Sequence, residues 1–229
     1  MIGRGGNVHV IQRPKPGPKP RSYDRARVLK KASAARKRGK RKKAIELYRQ
    51  VLADEPENVD LLRKLAPLFA ESRQEEEALL HFGRAAQGFA ARGFPDKAIG
   101  LCRQALGFYP TEVVIWEAIA DLQLQRQRRA DAFGALLEGR AKMRGRRLRS
   151  HAIALLKRAC AIEPGAVDPQ IDLAKLLART RKRAKACAML DRLAACCQGR
   201  DRRRALGARL WIAPTPVGFF RWCGAVFGR

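Results

Sequence analysis

The stretch KKAIELYRQVLADEPENVD, residues 42–60, returns as DKAIGLCRQALGFYPTEVV at 96–114 and as SHAIALLKRACAIEPGAVD at 150–168. The interval is 54 residues each time, with no gap. Ala44, Ala98 and Ala152 keep it, as do Ile45, Ile99 and Ile153, then Leu47, Leu101 and Leu155, then Pro56, Pro110 and Pro164. In the second half of the interval the matched sets are Leu65, Ile119 and Leu173; Ala66, Ala120 and Ala174; Leu68, Leu122 and Leu176; and Ala78, Ala132 and Ala186. A fixed period of this length is the signature of a stacked-repeat architecture, in which no unit buries its own apolar face alone.

The period inside each interval is helical. Ile45, Tyr48, Val51 and Leu52 form one face; Leu62, Leu65, Ala66, Leu68 and Phe69 a second; Leu79, Phe82, Ala85, Ala86 and Phe89 a third. The spacing predicts three antiparallel helices of about 12–17 residues per interval, over units 42–95, 96–149 and 150–203. Pro56, Pro110 and Pro164 then stand just past a helix end, where a missing N–H does no harm. The small residues let helices approach closely. Pro67 is expected to kink a helix or mark its early turn.

This pattern resembles the tetratricopeptide repeat (TPR), a helix pair of about 34 residues with small residues at the helix crossing and a closing proline. Residues 25–58 match through Ala32, Gly39, Ala44, Tyr48 and Pro56, and 59–92 through Leu65, Ala66, Phe69, Ala78, Phe82 and Ala85. Residues 79–112 match through Ala86, Phe89, Gly93, Ala98, Ala105 and Pro110, and 113–146 through Trp116, Ala120 and Ala132; 133–166 and 167–200 follow more loosely. Two frames overlap at the helix near 76–92, which reads as the second helix of one pair and the first of the next. The resemblance implies an all-α, right-handed α-solenoid of stacked antiparallel helices over 23–203, with a concave groove that holds a partner peptide or helix. The groove positions it implies are Arg63 and Lys64, Glu117 and Asp121, and Asp172 and Lys175. A carboxylate clamp for chaperone tails is disfavoured, because Leu29 and Ser33 stand where its first lysine and asparagine would be.

The ends differ from the body. Residues 1–22 combine proline, glycine and base with little apolar content, and are expected to be a disordered basic tail, with a first helix beginning near Ser22 or Tyr23. Residues 204–229 include Trp211, Phe219, Phe220, Trp222 and Phe227. They read as a capping segment, as a basic aromatic segment for a membrane surface, or as a docking peptide for another protein.

The formal net charge is +28, and residues 1–43 hold 16 Lys/Arg against one Asp. Lys37, Arg38, Lys40 and Arg41, with Arg140, Lys142, Arg144, Arg146, Arg147 and Arg149, form a candidate anion-binding patch for nucleic acid or an anionic membrane surface. No aromatic interleaves these bases for stacking, so sequence-specific readout is not expected.

Other chemistry is sparse. His9, His81 and His151 are far apart, and the last two are expected to be half exposed. No metal-ligand spacing occurs, so neither a metal nor a cofactor is expected. Glu75, Glu76 and Glu77 read as the acidic first turn of a helix. The six cysteines form no C-x-x-C pair and mostly fall at apolar helix positions, as buried free thiols would. No run of 18 apolar residues and no secretory pattern occurs, which points to a reducing cytoplasm. The expected function is a non-enzymatic protein-binding scaffold. The partner, the pathway and the oligomeric state are not set by the sequence.

Overall fold

A computed structural model describes residues 24–227. The expected tail at 1–22, with Ser22 and Tyr23, lies outside the described residues. Within them the chain is all-α, with twelve helices and no strand: α1 Arg25–Lys37, α2 Arg41–Asp54, α3 Val59–Glu71, α4 Glu75–Ala91, α5 Pro95–Phe108, α6 Val113–Gln125, α7 Arg129–Lys142, α8 Arg149–Ile162, α9 Val167–Arg179, α10 Arg183–Cys196, α11 Gly199–Ile212 and α12 Pro216–Phe227. The 54-residue interval reappears in the backbone. Helices begin at 41, 95 and 149, then at 59, 113 and 167, then at 75, 129 and 183.

The turns repeat too. Helices α3, α6 and α9 close with the same wide bond: Gln74 N–H donates to the Phe69 carbonyl, Arg128 N–H to Gln123, and Lys182 N–H to Leu177, at 2.9–3.0 Å. This closure needs a left-handed residue just past the helix. Arg73, Gln127 and Arg181 supply it, with φ of 59°, 59° and 62°. Gly39 and Gly93 do the same after α1 and α4 without a Cβ penalty. The proline turns are of a second kind: Glu55, Tyr109 and Glu163 each donate back to the carbonyl four residues earlier.

The described chain falls into two compact units, residues up to Asn58 and residues from Val59 onward. In the first, α1 and α2 pack against each other across a short turn, and so run antiparallel. The Asp24 carboxylate caps α1 by accepting from the Arg27 N–H. A two-point pair, Arg25 to Glu55 at 2.5 and 3.0 Å, ties the start of α1 to the end of α2.

In the second unit α4 packs on both α3 and α5, α7 on both α6 and α8, and α10 on both α9 and α11. The outer helices of each trio also touch, and the α5–α6 and α8–α9 junctions are thinner than those between neighbouring helices within a trio. The packing module is therefore α3–α5, α6–α8 and α9–α11. It keeps the 54-residue interval but begins after the proline turn rather than before it. The middle helix is the one shared between overlapping repeat frames. In sequence, α2 matches α5 one interval on.

Alanine sets the approach distance. Ala66, Ala78, Ala98, Ala120, Ala132, Ala174 and Ala186 are fully buried and Ala152 nearly so; Ala44 in the first unit is also fully buried. Glycine allows still closer approach at Gly88 of α4, where a Cβ would fall 2.3 Å from Val59 of α3, and at Gly139 of α7. A Cβ at Gly139 would fall 2.6 Å from the Trp116 ring of α6 and 3.0 Å from Leu155 of α8. Trp116 donates its indole N–H to the Pro110 carbonyl at 3.0 Å, and one interval later Gln170 donates to the Pro164 carbonyl at 2.7 Å. Antiparallel helix pairs with alanine at their crossings make the fold TPR-like.

Several expectations need correction. Pro67 lies well inside α3 rather than in its early turn. His81 is buried rather than half exposed; its Nδ1 lies 2.7 Å from the Glu77 carbonyl, and its ring lies 4.8 Å from that of Phe69. Of the cysteines only Cys102 is buried, and Cys196 is exposed. Helix α11 begins four residues before the place the interval gives it, so the period ends with α10.

Candidate partner-binding cleft

A cleft of about 580 Å³ opens between α4, α5 and α6. Its floor is apolar: Leu79, Phe82 and Ala86 from α4, Cys102 and Ala105 from α5, and Val114, Ile115, Ala118 and Leu122 from α6. Glu112 and Asp121 add carboxylates, and Gln87 and Gln125 add amides. Val114 is 71% exposed, which is unusual for a valine with apolar neighbours. The Cys102 thiol is pushed up to about 11 by burial, so it stays protonated and inert at neutral pH.

The interval shows what sets the α6 wall of this cleft apart. Val114 stands where the other two intervals carry Asp60 and Asp168, and Ala118 stands where they carry Lys64 and Asp172. Only the α6 copy replaces these charges with apolar groups. That substitution was visible in the sequence. Its meaning was not, because only packing shows which α6 residues lack a cover.

The groove positions drawn from the family resemblance share a face of α3, α6 and α9, and their charges are largely engaged. Arg158 of α8 pairs with Asp121 and lies 3.8 Å from Glu117. Arg140 of α7 meets Asp172 at 2.8 Å. Asp121 also lines the apolar cleft. Arg63 lies 3.7 Å from Asp60, and both line a second, polar cleft of about 420 Å³ with Phe89 and Lys97. Lys64 is half-buried and Lys175 exposed.

The basic positions fall in both units. Lys37, Arg38, Lys40 and Arg41 are exposed around the α1–α2 turn. Lys142, Arg144, Arg146 and Arg147 are exposed at the end of α7 and in the turn after it, whereas Arg149 is half-buried and Arg140 is held by Asp172. Among the described residues, no three His, Cys, Asp or Glu side chains gather as a metal site would require. No described helix is long and apolar enough to cross a membrane.

No family model matches the chain, and no curated protein does. Among solved structures it is similar to MamA, 24% identical over 51% of this chain and 72% of that one, with a TM-score of 0.28. It is also similar to a tetratricopeptide repeat protein from Parabacteroides merdae, 15% identical over 90% of this chain and 94% of that one, with a TM-score of 0.27. A third is a protein described as protein-binding from Bacteroides ovatus, 17% identical over 89% and 97%, with a TM-score of 0.36. At these scores the likeness says nothing of function; the TPR-like architecture is read from the chain's own helix pairs.

Proposed function

We propose that this chain is a non-enzymatic scaffold that holds a partner peptide or helix in the cleft between α4, α5 and α6. The exposed Val114 and the half-buried Ala118, where the other intervals keep charges, carry the reading. The ligand it suits has apolar side chains for the floor and a basic flank for Glu112. Arg63, Lys64, Glu117, Asp121, Asp172 and Lys175 extend the contact along the same helix face, over a repeat domain taken as 23–203.

The test restores the charges of the neighbouring intervals. V114D with A118K should abolish capture of the partner identified by affinity purification, while leaving the thermal unfolding midpoint within a few degrees. Full capture by that variant would overturn the reading. Reversing Glu117 and Asp121 to lysine should weaken capture too. R158Q is its control, since it frees both carboxylates without changing their sign.

A second reading has its own support. The exposed bases Lys142, Arg144, Arg146 and Arg147 follow one another at a single turn, and 37–43 add a further run. We propose them as an electrostatic accessory for nucleic acid or another polyanion. Each phosphate contact makes binding steeply salt-dependent. Glutamine at 142, 144, 146 and 147 should flatten the salt slope of RNA binding, and an unchanged slope would remove the role.

A further inference from the structure

The pair α11–α12 breaks the rule that organises the rest of the chain. In a helical array a face that meets water is normally polar. Here it is not. Val217 is 70% exposed, Phe220 73% and Phe219 50%, and Gly224 continues their stripe one turn on. The rings of Phe219, Phe220 and Trp222 cluster at about 6.2–6.5 Å between centroids. Trp211, at the end of α11, is 62% exposed.

Bases outnumber acids along α11 and α12. No acidic residue follows Asp201, whereas Arg200, Arg202 and Arg203 are exposed. A cleft of about 250 Å³ sits at the foot of Val217, with Arg209, Thr215 and Arg221 on its walls. Both guanidiniums address one carboxylate, Asp191, at 3.3 and 3.9 Å. Two positive charges against one negative leave the cleft with a net positive charge, beside exposed valine and phenylalanine. The Thr215 hydroxyl already accepts from the Gly218 N–H, which leaves its O–H to donate.

We propose that the α11–α12 hairpin docks on an anionic lipid surface. Val217, Phe219, Phe220 and Trp211 enter the interfacial layer, and Arg209 and Arg221 receive a headgroup phosphate in the cleft beside them. Aromatic and aliphatic groups next to arginines are the composition such an interface selects. A second copy of the chain fits less well. A two-fold contact sets a patch against itself, so Arg221 and its neighbours would face their own charges. This inference is independent of the α4–α6 cleft.

The experiment is co-sedimentation of the full chain with vesicles of phosphatidylcholine, with or without phosphatidylglycerol, at salt high enough to screen the basic segments. The unmodified chain should stay on the phosphatidylglycerol vesicles, and brominated lipid should quench its tryptophan fluorescence. F219S with F220S should lower the affinity about tenfold or more, because two large apolar side chains no longer leave water. R221Q should lower it several-fold on the anionic vesicles alone. Unchanged affinity in the double variant, absence of quenching, or equal retention on pure phosphatidylcholine would overturn the proposal. So would high-salt dimerisation or RNA binding that the double variant abolishes while vesicles go unbound.

Discussion

The module α6–α8 and the hairpin α11–α12 contain the same kinds of side chain and use them oppositely. In the module, aliphatic groups come round on schedule and are covered: Leu122, Leu136 and Leu155 are 7%, 0% and 0% exposed. In the hairpin the schedule has lapsed, and Trp211, Val217 and Phe220 face outward. Composition does not separate these regions; phase does. Leu65, Ile119 and Leu173, matched across all three intervals, are buried, whereas Val217 and Phe220, outside the interval, are exposed. Val114 makes the same point inside the array, where one off-schedule valine opens a cleft.

The largest effect that sharpens this contrast is expected at Phe69, which is fully buried. Phe69→Ala should cost about 3–5 kcal/mol by denaturant unfolding, since a buried ring leaves both lost transfer energy and a cavity. Gly139→Leu comes next, at about 1–3 kcal/mol or more, because the added carbons meet Trp116 and Leu155 with no room to give. A neutral result there would mean that α7 does not sit between α6 and α8.

Cys102 gives a pH-dependent effect of about 3 kcal/mol, at about 1.4 kcal/mol for each tenfold change in its acidity. Its folded pKa is raised to about 11 by burial. Its contribution is therefore complete below an unfolded thiol's value of about 8.5 and lost as pH rises through 11. Unfolding curves from pH 8 to 11 should fall more steeply for the natural chain than for Cys102→Ala; parallel curves would show the thiol to be solvated.

Gln123→Leu should stabilise the chain by about 1 kcal/mol in the same assay. Gln123 is buried where the other intervals carry Phe69 and Leu177, and its Oε1 has no partner among the described residues. Destabilisation would show that the amide is needed. The smallest effect belongs to Phe220→Ala, within about 0.5 kcal/mol, because an exposed side chain leaves no cavity. A loss as large as that at Phe69 would erase the distinction between the two regions.

Much of this was legible in the sequence. Three helices per interval, alanines at the crossings, the prolines past the helix ends and the acidic first turn of α4 all follow from period and residue chemistry. What periodicity cannot fix is phase. A repeat reads the same from any starting point, and only the relative extent of the helix junctions places the module start at 59 rather than 42. Pairings across the fold were equally hidden. Arg158 lies 37 residues from Asp121, and nothing in either local pattern joins them. His81 read as half exposed because histidine is polar; the Phe69 ring and the Glu77 carbonyl give it a buried place.

The central claim is that the unit of packing is three helices with a shared middle member, repeating every 54 residues, and that a two-helix step breaks it. Deleting residues 113–166 removes one whole interval and joins Glu112 to Val167, the residue that replaces Val113 in phase. Deleting 113–146 removes one helix pair of the length typical of the wider family. Thermal unfolding followed by circular dichroism compares the two directly. The 54-residue deletion should keep a helical, cooperative transition at a lower midpoint, and the 34-residue deletion should lose cooperativity. The reverse outcome, or equal cooperativity in both, would contradict the account.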